Sequence, residues 1–272
     1  MSYEELRGKA NSIRKTIIEA VHAAGSGHPG GSLSAAEIMT ALYFEEMNID
    51  PQNPKMEGRD KFVLSKGHAA PVLYATLAER GFFKREDVLT LRKLGSDFQG
   101  HPSMSKVKGV EMSTGSLGQG FSVSVGMALA NKLDNSKGRV YTLLGDGEIQ
   151  EGIVWEAAMA AGHYKLDNLV AIVDWNGLQI DGKNEDVMTV TPIDEKFKSF
   201  GFEVEIIDGH NLEEIICALK NARENKDKPS AIICKTHKGQ GVSFMTDNPG
   251  WHGKAPNEEQ KELALEELGG VK

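Results

Sequence analysis

Val140-Tyr141-Thr142-Leu143-Leu144-Gly145-Asp146-Gly147-Glu148 is an apolar run that stops at an acid held between two glycines. A short apolar run closed by turn residues reads as a strand buried on both faces. Lys61 to Leu64, Leu169 to Val173, Val204 to Ile207 and Ala231 to Cys234 read the same way. Helix-like stretches lie between and beside these runs, at 69 to 80, 118 to 133, 151 to 164 and 211 to 225. Buried strands joined by helical crossovers make a parallel sheet with helices on both faces, since each crossover must bring the chain back to the same edge. The expected class is therefore α/β with a mostly parallel sheet.

Upstream of these strands the pattern is helical. Ser2 with Glu5 forms a capping box that opens a helix through Leu6, Ile13, Ile17 and Ala20, ending near Gly25. A second box, Ser34 with Glu37, is expected to open a helix through Ile38, Leu42 and Tyr43 that the Pro51 and Pro54 region closes. No repeat, low-complexity tract or linker divides the chain, so residues 1–272 read as one domain.

Composition narrows the function. With 40% hydrophobic and 26% charged residues the chain is of ordinary globular type. Its net charge of -8 opposes affinity for a polyanion, so nucleic acid and anionic membrane are poor partners. No apolar run approaches the ~20 residues of a membrane span, and MSYEELRGKA lacks a signal peptide's apolar segment, so a cytoplasmic protein is expected. Cys217 and Cys234 make neither a metal-ligand pattern nor a disulfide framework, and are expected in the core.

The chemistry should lie where strands end. Asn176 follows Asp146 by thirty residues, just past the next strand. In a right-handed βαβ unit the two strand ends share one rim, so carboxylate and amide can converge on a hard cation such as Mg²⁺. Singly, each reads more simply as a turn residue. The glycines from 115 to 120 precede a helix whose free N–H groups suit a phosphate, although helix entry alone also explains them. His28, His68, His101 and His252 each adjoin a glycine in an expected loop, where imidazole can donate to an oxyanion or relay a proton. His22, His163, His210 and His237 are read as structural. Glu151 is an acid at a helix start, and Arg92 precedes Gly100-His101-Pro102, either near the site or capping a helix over 86 to 94.

Gly145-Asp146-Gly147 with its distant asparagine resembles the thiamine diphosphate motif of the transketolase family. Further matches follow in order: Ser26-Gly27-His28-Pro29-Gly30, Ser65-Lys66-Gly67-His68, Gly100-His101-Pro102, Ser113 to Gly120, Gln150-Glu151-Gly152 and Trp251-His252-Gly253. The resemblance implies the thiamine diphosphate-binding fold, in particular the N-terminal, pyrophosphate-binding subunit of a split transketolase. It assigns Asp146, Asn176 and the Leu178 carbonyl to Mg²⁺, with Ca²⁺ or Mn²⁺ able to replace it. It sets His68, Gly115, Ser116, Leu117, Gly147, Asn176 and His252 against the cofactor, and His28, His101 and His252 against the donor sugar. Trp175 departs from the family, which often has an asparagine or an acid there, and the matching family glutamate to Glu151 lies at a subunit interface. The implied partner is a C-terminal subunit with the pyrimidine-binding domain, in an α2β2 assembly acting on sugar phosphates. The α subunit of a 2-oxo-acid dehydrogenase shares the Gly-Asp-Gly motif, but the histidines at 28, 68 and 101 argue against it. The retained metal ligands argue against a non-catalytic binding module.

Overall fold

The computed structural model describes residues 1–269. Its strands are β1 (Lys61–Leu64), β2 (Val140–Gly145), β3 (Leu169–Trp175), the short β4 (Leu178–Gln179) and β5 (Gly182–Lys183), β6 (Glu203–Asp208) and β7 (Ser230–Lys235). β4 and β5 form an antiparallel hairpin, and the other five make a parallel sheet in the order β1-β2-β3-β7-β6. All five expected strands are present. Four run a residue or two past their apolar stretch, because the ladder continues through pairs such as Gly145 with Asp174 and Trp175 with Lys235.

The helices are α1 (Tyr3–Ala24), α2 (Pro29–Leu33), α3 (Ala36–Ala41), α4 (Ala70–Arg80), α5 (Arg85–Val88), α6 (Gln119–Leu133), α7 (Gly152–His163), α8 (Asn184–Val187), α9 (Ile193–Ser199), α10 (Leu212–Glu224) and α11 (Glu258–Glu267). Successive strand residues serve opposite cores. Tyr141 and Leu143 pack with α1, α3, α4 and α10, whereas Val140 and Leu144 pack with α6, α7 and α9. This alternation explains the unbroken apolar runs of β2, β3 and β7, whose two faces are both covered, whereas β6 at the sheet edge departs from the expected two-sided burial and leaves Ile206 exposed. α1 begins at the expected capping box and ends at Gly25, whose φ of 61° suits glycine. Its stripe of Leu6, Ile13, Ile17 and Val21 is buried, each contributing about 1.5–3 kcal/mol.

Three further expectations fail. The second capping box does not form: Ser34 closes α2 and donates its hydroxyl to Asp174 in β3, while Glu37 turns to Arg14. A buried charged acceptor outcompetes a local backbone N–H. The helix expected over 86 to 94 shrinks to α5, and Arg92 lies beyond it with a φ of 58°. Cys217 is exposed, because α10 turns Leu212, Ile215, Ala218, Leu219 and Ala222 inward and leaves it on the outer face. Cys234 is buried in β7 as expected. Among the described residues no helix is long and apolar enough to cross a membrane.

Candidate active site

β2 and β3 run in parallel with Gly145 opposite Asp174, so Asp146 and Asn176 leave the sheet on one rim. The Gly177 N–H donates to Asp146 Oδ2 at 2.6 Å and the Gly147 N–H to Oδ1 at 2.8 Å. Asn176 Oδ1 accepts the Leu178 N–H at 3.1 Å, which curls the turn around the amide. Asp146 is 1% exposed. Burial, and then the charge of Asp174, push its carboxyl up to about 6. The charge of Lys238 compensates only in part, and a cation between the loops would add the rest. Among the described residues no three His, Cys, Asp or Glu side chains group to hold a metal. The available donors are instead one carboxylate, one amide and one carbonyl, an oxygen set that fits a hard cation completed by phosphate and water.

His28, His68, Gly115, Leu117, Asp146, Gly147, Asn176, Leu178 and His252 line one cavity of about 340 Å³. That volume falls in the range of small-molecule and cofactor pockets. The rings of His28, His68 and His252 form a triangle, with centroids 5.3, 5.3 and 5.2 Å apart. Desolvation, reinforced by neighbouring positive groups, lowers His28 to about 4, His252 to about 3, and His68 well below its ordinary value. Near neutrality the three rings are therefore uncharged. Nδ1 of His28 and of His252 is buried without a hydrogen-bond partner. Such orphaned atoms beside a cavity fit a site shaped for a polar ligand.

Two expected residues stand outside the cavity wall. Ser116 is exposed, and His101 sits at the rim, its ring against Gly115. Burial, then the charge of Arg92, lowers His101. The Arg92 guanidinium donates to Ser26 Oγ at 3.0 Å, so it serves the rim rather than capping a helix. Glu151 occupies the N-cap position of α7 without a side-chain capping bond, and it lines the cavity.

The structure adds groups that the spacing did not reveal. Lys66 donates to Gly31 O at 2.8 Å and pairs with Asp174, which also accepts from Ser34 and Thr236. Burial opposes the charge on Asp174, yet Lys66 and these hydrogen bonds hold its carboxyl below the ordinary value. Lys238 donates to Leu178 O at 3.0 Å, and burial lowers it to about 8. Glu148 is 2% exposed and accepts from Ser65, from the Gly118 N–H at 2.8 Å and from the Gly145 N–H at 2.9 Å. The start of α6 is thus less free for phosphate than expected, since Glu148 takes the Gly118 N–H and Ser65 Oγ takes that of Phe121. An acid two residues past Asp146 was the available signal, but two of its three partners, Ser65 and Gly118, come from loops 83 and 30 residues away.

Comparison with known proteins agrees with this architecture. Residues 7–270 match the family profile described as "Transketolase, thiamine diphosphate binding domain". The chain is 46% identical to SqwG, a 6-deoxy-6-sulfo-D-fructose transketolase subunit of Clostridium sp. (strain MSTE9), covering 97% of this chain and 96% of that one. It is 44% identical to one of the subunits of an apulose-4-phosphate transketolase from Phocaeicola vulgatus, covering 98% and 95% respectively. The transketolase structure from Campylobacter jejuni superposes with a TM-score of 0.94 at 36% identity, covering 99% of this chain but 43% of that longer one. A parallel sheet that delivers Asp146 and Asn176 to one rim, together with these likenesses, identifies the chain as a member of the transketolase family, matching its thiamine diphosphate-binding domain.

Proposed function

We propose that the chain holds the cation and diphosphate of thiamine diphosphate and, with a separate subunit bearing the pyrimidine-binding domain, transfers a two-carbon glycolaldehyde unit from a ketose phosphate to an aldose phosphate. The observation that carries the reading is the joining of Asp146 to the 176–178 turn inside a cavity walled by three uncharged histidines. Asp146, Asn176 and the Leu178 carbonyl would hold Mg²⁺, while Lys238 and Lys66 place positive charge where the diphosphate would lie. Gly115 and Gly147 carry no side chain to block close approach, Leu117 lines the same wall, and His68 and His252 would reach toward the phosphates. Bound there, thiamine diphosphate supplies the electron sink for breaking and remaking a carbon–carbon bond.

The chain's own residues then position the sugar and handle protons. His28, His101 and His252 face the sugar's carbonyl and hydroxyl oxygens, where an uncharged imidazole can donate one hydrogen bond and accept another. The two relatives named for a sulfo-ketose and a ketose phosphate are both called subunits and are matched over at least 95% of their length. These names support a two-chain enzyme and a donor ketose with an anionic end, and an α2β2 assembly is the arrangement proposed.

The test is reconstitution. The chain with Mg²⁺, thiamine diphosphate, a ketose phosphate and an aldose phosphate should give no turnover, and adding the pyrimidine-domain subunit should start two-carbon transfer. Transfer by the single chain, or decarboxylation of a 2-oxo acid by the pair in place of it, would refute the reading.

A further inference from the structure

Asn184 follows the β4–β5 hairpin and is 4% exposed, yet neither Nδ2 nor Oδ1 of its amide has a hydrogen-bond partner. Among the described residues it is the only side-chain amide with both polar atoms buried and unpaired. Burying an unsatisfied amide is unfavourable, and a leucine of nearly the same shape would avoid the penalty. The buried carboxylates nearby are, by contrast, satisfied: Glu148 accepts three hydrogen bonds, and Asp174 is held by Lys66, Ser34 and Thr236.

Its location is specific. The Asn184 N–H donates to Gly177 O at 2.9 Å, which fixes the residue against the turn carrying Asn176. On its other side Oδ1 lies 3.9 Å from where a side chain on Gly147 would begin. The amide thus sits where the loops bearing Asp146 and Asn176 meet. Asn184 does not line the histidine cavity itself; together with Asn176, which borders both, it borders a second cavity of about 370 Å³, room enough for ordered water at ~30 Å³ per molecule. An amide offers two donors and an acceptor, so it can serve a phosphate oxygen and a cation-bound water alike.

We propose that Asn184 is a further binding residue of this site, its amide contacting the hydrated cation and diphosphate head group directly or across one water. The inference rests on the function proposed above and extends it to a residue outside the motif. The experiment uses the full chain with its partner subunit, comparing wild type with Asn184→Leu and Asn184→Ala. Calorimetry measures Mg²⁺-dependent binding of thiamine diphosphate, and thermal melts are recorded without and with both. The leucine variant should melt no lower than wild type when cofactor-free, because an unpaired amide has been removed. Its affinity for the Mg²⁺ and thiamine diphosphate pair should fall roughly tenfold or more, as expected for losing a hydrogen bond to a charged group. The alanine variant should lose affinity similarly, even if its smaller side chain lowers the cofactor-free melt. Wild-type affinity in both variants would overturn the proposal, as would lowered cofactor-free melts in both with an unchanged ligand-induced rise. A wild-type assembly that binds no thiamine diphosphate would instead bring down the underlying reading, and this one with it.

Discussion

At the scale of single residues, the site is held in tension between burial and charge. Asp146 is desolvated and near Asp174, with two backbone N–H groups and the more distant Lys238 as its compensation. Removing that carboxylate relieves a desolvated charge but leaves the Gly147 and Gly177 N–H groups without their acceptor, so the two effects on the cofactor-free fold oppose each other. Asp146→Ala should therefore leave the cofactor-free melting temperature within a few degrees of wild type, while Mg²⁺-dependent binding of thiamine diphosphate falls by about two orders of magnitude. Titration calorimetry beside a melt separates the two effects, and wild-type affinity in the variant would remove Asp146 from the cation site. The histidine triangle shows how far surroundings reset a residue type. Imidazole ordinarily titrates near neutrality, but burial among positive neighbours keeps His28 and His252 uncharged there.

At the scale of elements, the packing of α1 against α3 centres on a buried ionic cluster. Arg14 on α1 reaches Glu37 on α3 through both of its terminal nitrogens, and His210, after β6, adds a third contact. Burial by itself would raise the Glu37 carboxyl, but His210's hydrogen bond and the Arg14 charge bring it down to about 2. Because the folded value lies below the ordinary 4.5, the stabilisation is complete above that pH and is lost as pH falls toward 2. The linkage amounts to about 3 kcal/mol near neutrality. Urea unfolding of wild type and Glu37→Gln should thus differ most at pH 6 to 7, with the gap narrowed by about 1 kcal/mol at pH 3.5 and closing only as the buffer approaches pH 2. A gap that stays constant over this range would show that Glu37 is not ionised in the fold.

At the scale of the whole molecule, the sheet gathers its carboxyl-end loops at one rim, where open α/β sheets bind ligands. The outer wall of the cavity is the β4–β5 hairpin, where Ile180 is 69% exposed, and Met188 beyond it is 60% exposed. Bare apolar side chains beside a polar cavity mark a surface that a partner could cover. When cofactor and the pyrimidine-domain subunit are added, backbone amides over 178–188 should exchange with deuterium several-fold more slowly. Unchanged exchange would put the partner elsewhere. The five strands, α1 with its caps, and the arrival of Asp146 and Asn176 at one rim were legible in the chain, since periodicity, capping and the βαβ rule are local or fixed in hand. What could not be read locally was which polar groups meet across the core. Ser34 left its expected cap for Asp174, Glu148 tied three loops together, and Lys66 found Asp174 over a hundred residues away. Cys217 faced solvent although its sequence neighbours are apolar. Sequence alone determined the layered α/β architecture and the residues delivered to its rim, whereas burial and long-range electrostatics, which exist only once the chain has closed, decided their charge states and partners.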